Sequence, residues 1–240
     1  MASASQRPHR AGAVLAVVTV GALIVGVAAT RFAVGPGDDA VEDAGRPAPT
    51  TAVRPAPHAD DAGPTAERAG LPVGFSHDEP GAVAAAVAYA TAAQRWLYFS
   101  DVEIREAVAE IATPLAAPRM ADDVVGDVSM AREQLGASPG RVWWLVRPLA
   151  WRVDSFATDE ARVAVWVVTI LSAADVAVPQ AEYATVTVDL AWVDGDWRID
   201  AVQDTPGPTP MTGPQDQPWD AAPFDEALDG FTRMDGEPVR

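Results

Sequence analysis

The residues able to do chemistry are few in this chain of 240. Cysteine is absent and there are three histidines, His9, His58 and His77. That composition excludes disulfide scaffolds, thiol nucleophiles, thiolate metal sites and a lipid-modified cysteine anchor. General acid–base work needs a group with a displaced pKa in an apolar pocket, often beside a Tyr or His. The residues that could supply it are His77, Tyr89, Tyr98, Asp154, Tyr183 and Asp189, and no two of them stand at a spacing that marks a pair. Asp122, Asp123 and Asp127 put carboxylates along one helix, as a divalent cation would need. With no His or further Glu at ligand spacing, they read as a solvated face. No glycine-rich phosphate loop follows a strand, and no cofactor and no metal are expected.

The aromatic residues point to contacts between proteins. Trp143 and Trp144 are adjacent in an extended segment, so their side chains must leave opposite faces of a strand. The outward member is a candidate protein contact, since exposed Trp is enriched at binding hot spots. Near the C-terminus, Phe224, Leu228 and Phe231 fall at spacings of four and three behind Trp219, one face of a short helix. That face is either a docking motif for a partner groove or a fold-back that covers an apolar patch on its own domain.

Charge and hydropathy place these residues in a larger plan. Asp and Glu number 34 against 17 cations, all of them Arg, for a net charge of −17. Nucleic acid is excluded as a partner, because phosphate binding needs a basic face. Residues 11–30 form an uncharged apolar run long enough to cross a bilayer as a helix. Arg7 and Arg10 precede it and acids follow from Asp38, so the positive-inside rule leaves residues 1–10 in the cytoplasm and the rest outside. A cleaved signal peptide is the rival reading, but its apolar core is usually shorter, about 7 to 15 residues. The expected localisation is therefore the cell membrane, single-pass, with partners among envelope proteins or further copies of the chain. Residues 31–75 hold seven Pro and few large apolar residues, which predicts a disordered, partly polyproline spacer. Residues 206–240 hold another seven and read as a Pro-rich tail.

Residues 76–205 carry the periodic structure. Asp78-Glu79-Pro80 opens a helix with Val83, Val87, Ala90, Gln94 and Leu97 along one stripe. Ser100 and Glu103 form a capping box before a second helix that turns Ile104, Val108 and Ile111 inward. A third helix is expected from Thr113-Pro114 to near Gly136, carrying Leu115, Val124, Val128 and Leu135, with a break or bend suggested by Pro118 and Gly126. Four strands follow. The first is marked as an edge or a bulge by Pro148, the second is apolar on both faces, and the last two are joined at Asp194-Gly195.

Helices followed by an antiparallel sheet make an α+β domain. In element order and in the terminal hairpin VDLAWVDGDWRIDAVQD, residues 76–205 resemble the nuclear-transport-factor-2-like superfamily. The resemblance implies a curved four-stranded sheet closed by helices into a cone. That superfamily includes isomerases and dehydratases acting in the cone's cavity. A Tyr or His beside a buried carboxylate there would favour such an enzyme or a small-ligand binder, whereas a cavity filled by Trp and Val would favour a non-enzymatic scaffold. The segment GLPVGFSHDEPGAVAAAVAYA also looks like membrane-tethered actinobacterial proteins. The layout is similar to bitopic scaffold components of conjugative, type IV-like secretion machines. The leading expectation is a membrane-anchored extracytoplasmic scaffold or assembly protein.

Overall fold

The computed structural model describes residues 62–135, 142–173, 177–210 and 226–239. The expected membrane helix at 11–30, with Trp219 and Phe224, lies outside them. No helix among the described residues is long and apolar enough to cross a membrane. In chain order the elements are β1 (Ala66–Arg68), β2 (Leu71–Val73), α1 (Glu79–Trp96), α2 (Asp101–Ile111), α3 (Ala117–Leu135), β3 (Val142–Phe156), β4 (Glu160–Ala173), β5 (Ala177–Val193), β6 (Asp196–Pro206) and β7 (Thr232–Arg233). The domain is α+β, as expected.

The local signals act where they were read. Asp78 caps α1, its carboxylate accepting from the Gly81 amide at 2.8 Å. Ser100 and Glu103 make the reciprocal capping box of α2. Asp194 and Gly195 both adopt positive φ at the β5–β6 turn, the conformation a two-residue hairpin demands. Gly81 has a steric role, because a Cβ there would come within 1.9 Å of the Ser76 carbonyl oxygen.

Two helices differ from expectation. The side of α1 buried on the core is Ala82, Ala85, Ala86, Tyr89 and Ala93, while Val83 and Val87 are only half-buried. Small side chains let the helix axis lie close over the sheet, so the alanines win the inner position. α3 runs unbroken, because Pro118 sits in its first turn, where a missing N–H costs nothing. Gly126 meets nothing within 4 Å. Leu115, expected within the third helix, lies in the turn before α3 and is 88% exposed.

The sheet has five strands, in the order β6-β5-β4-β3-β7, not four. The fifth comes from the tail: Thr232 and Arg233 pair with Trp151 and Ala150 on the edge of β3. The spacer reading is also shortened, since Leu71, Val73 and Phe75 of the β1–β2 region belong to the hydrophobic core. Central β4 puts Val163, Val165 and Val167 towards the helices, all fully buried, beside Val186 and Val188 of β5. Trp144, Val146 and Trp197 complete this inner face. On the outer face Ala150, Ala164 and Trp166 pack with Leu228 and Phe231 in a second, smaller cluster.

Candidate functional site

Each acid–base candidate is engaged in holding the fold. Tyr89 is buried and its hydroxyl donates to the Trp197 carbonyl at 2.8 Å. Burial, reinforced by nearby Asp196, drives its phenol pKa far upward. The Tyr98 hydroxyl donates to the Val142 carbonyl at 2.8 Å. Tyr183 stacks on Trp166. Asp189 receives two bonds from the Arg162 guanidinium, at 2.6 and 2.9 Å, and Asp154 receives one from Arg152 at 2.6 Å.

His77 gains a partner that no local spacing could announce. Its Nε2 lies 2.8 Å from the Thr158 carbonyl oxygen and 3.0 Å from Asp159 Oδ1. A carbonyl can only accept, so Nε2 carries the proton. The imidazole stacks flat on Trp192, with centroids 3.9 Å apart, and meets Trp197 edge-on. Trp197 Nε1 in turn donates to the Ser76 carbonyl at 2.9 Å. Below it, the Asp196 carboxylate accepts from the amides of Gly74, Phe75 and Trp197. This assembly clasps the loop before α1 to the β3–β4 and β5–β6 turns. With a carbonyl and a carboxylate as partners, His77 is placed as a clamp.

The helix carboxylates separate by environment. Asp122 pairs with Arg105 and Asp123 with Arg119. The Asp127 carboxyl is pushed up to about 6, first by burial and then by Asp123 and Asp204. Asp204 lies opposite Val186 on the helix-facing side of the sheet, and Glu182 lies opposite buried Thr169 on the same side. Burial raises the carboxyls of both. Among the described residues, no group of three or more His, Asp or Glu is arranged to hold a metal ion.

The surface features fall on β3 and the tail. Trp143 is 69% exposed and Trp144 4% exposed, the opposite orientations that adjacency in a strand requires. Beside them the β3 edge is blunted against strand addition. The Tyr98 hydroxyl takes the Val142 carbonyl, Arg147 Nη1 donates to the Val146 carbonyl at 3.2 Å, the ladder shifts at Pro148, and β7 covers Ala150 and Trp151. Leu228 and Phe231 are 1% and 3% exposed. They do not face a partner: both pack on the outer face of their own sheet, with the Arg152 guanidinium 4.7 Å above the Phe231 ring. Their spacing is not that of a helical face either, because Leu228 lies in a turn and Phe231 just ahead of β7. An open groove of about 610 Å³ runs between the β1–β2 hairpin, α1, Trp151 and Met234. Sequence reading missed it, since it joins residues more than 150 positions apart; the alternation of Ala and Val in α1 was its one local sign.

No match to a curated protein reaches significance. Among solved structures, the chain is similar to the crystal structure of the intermembrane space region of chloroplast protein ARC6. The identity is 15% and the TM-score 0.34, covering 53% of this chain and 93% of that one. A family profile described as "Domain of unknown function (DUF8175)" matches residues 48–217, which span the hairpin, the three helices and strands β3 to β6, and the chain belongs to that family.

Proposed function

We propose that the protein is a non-enzymatic scaffold or assembly component of a cell-envelope complex, of the kind found in conjugative transfer machinery. In this reading residues 11–30 anchor it by one helix in the cell membrane, and a cone-like domain of the nuclear-transport-factor-2-like type stands outside. One observation carries the proposal: the centre of the helix-facing side of the sheet is packed with Val and Trp, and the acid–base candidates read from the sequence are spent on structural contacts. Trp143, 69% exposed, presents an aromatic contact surface to the surroundings. The test is photo-cross-linking in cells from position 172, the cross-strand neighbour of Trp143, with identification of captured neighbours. Envelope proteins captured by the wild type, and lost in Trp143→Ala with folding retained, are the expected result; unchanged capture in that variant removes Trp143 as the contact. The anchor is checked separately, by retention in membranes after carbonate extraction and by protease access to the C-terminus from outside only.

A further inference from the structure

The groove leaves a continuous apolar surface uncovered. Val83 and Val87 of α1, Phe75, Trp151, Pro72 and Met234 form its walls. The two charged residues lining it, Glu79 and Asp235, are both acidic and exposed; Asp235 is held by Arg233 at 2.6 Å, which leaves Glu79 as the carboxylate offered to a cation. A fitting occupant is therefore apolar, slender and cationic. Aromatic-walled grooves with acidic rims suit proline-rich segments, which arrive extended and with little entropy left to lose.

The chain carries such a segment immediately upstream. Arg-Pro-Ala-Pro occurs twice, at Arg46–Pro49 and at Arg54–Pro57. Ala62, the first described residue, itself lines the groove, so Pro57 stands five positions from its rim. Five residues reach at most about 17 Å, enough to turn a segment back along the wall. Tethering on so short a connection gives an effective concentration in the millimolar range, so a weak intrinsic affinity suffices. We infer that the groove is the docking site for the chain's own Arg-Pro-Ala-Pro segment at residues 46–57, with Arg46 or Arg54 meeting Glu79. The docking stands on the groove and the repeat alone; its consequence, a shorter reach from the membrane, rests on the anchored reading above.

The test uses the full chain in detergent, with benzoylphenylalanine placed at Met234. On irradiation, cross-links are expected to map to residues 46–57. In a mixture of isotopically light and heavy chains they should stay within one isotopic species. The double variant R46E/R54E leaves every described residue untouched and should reduce the yield about tenfold, and E79R added to it should restore most of the loss. Cross-links that map elsewhere, that join light to heavy chains, or that ignore the charge reversals would overturn the inference. A negative result here leaves carbonate extraction unaffected, so the anchor and the docking fail separately.

Discussion

The two ends of the helix-facing sheet surface solve the burial of polar groups in opposite ways. At the hairpin end, Trp197, Asp196, His77 and Tyr89 each find complementary partners, and three backbone amides converge on one carboxylate. At the far end, Asp127, Asp204 and Glu182 are partly withdrawn from water and their carboxyls are raised. The first arrangement returns the desolvation cost in hydrogen bonds; the second leaves it standing. The contrast teaches where rigidity is concentrated: the turns that position α1 are locked, whereas the far end carries an electrostatic penalty that protonation removes.

The largest effect should come from breaking the locked end. Trp197→Ala removes a fully buried indole together with its bond to Ser76. It should cost about 3–5 kcal/mol in denaturant unfolding; a loss under about 1 kcal/mol would show that the clasp does not hold the fold. Asp196→Ala strands the amides of Gly74, Phe75 and Trp197. The expected loss is about 2–3 kcal/mol, with exchange of the Gly74 and Phe75 amides accelerated first. Gly81→Ala should cost about 1–3 kcal/mol by overpacking against Ser76, and circular dichroism should show α1 still formed.

The smallest effect sharpens the other end. Asp127 has a folded pKa raised from 3.8 to about 6, so the native state binds more protons than the unfolded chain between those values. The favourable contribution of its protonated form is complete below pH 3.8 and is lost as pH rises through about 6. Asp127→Asn should flatten that part of the stability–pH curve and raise stability at pH 7 by about 1 kcal/mol or less, since the group is only half-buried and solvent screens it. Unchanged pH dependence in the variant would show that the far end carries no such penalty.

Much of the local architecture was legible before any coordinate. Asp78, the Ser100–Glu103 box, Pro148 and Asp194-Gly195 signal through groups within a few positions of one another, and each acts as read. The phase of α1 was not legible, because its Ala-rich segment offers little contrast between faces. Which side turns inward is decided by how closely the sheet can approach. Nor was β7, whose two residues become a strand only by meeting the edge of β3. The His77–Asp159 pair spans 82 positions, beyond the reach of any spacing rule.

By itself the sequence determined the exclusions, the helix starts, the turn chemistry and the opposed orientations of Trp143 and Trp144, because these follow from residue types and short-range geometry. The tertiary structure alone decided that Leu228 and Phe231 are covered, that the acid–base candidates are occupied, and that a groove opens between hairpin, helix and tail. Those outcomes depend on which distant surfaces meet, and desolvation and packing are properties of that meeting.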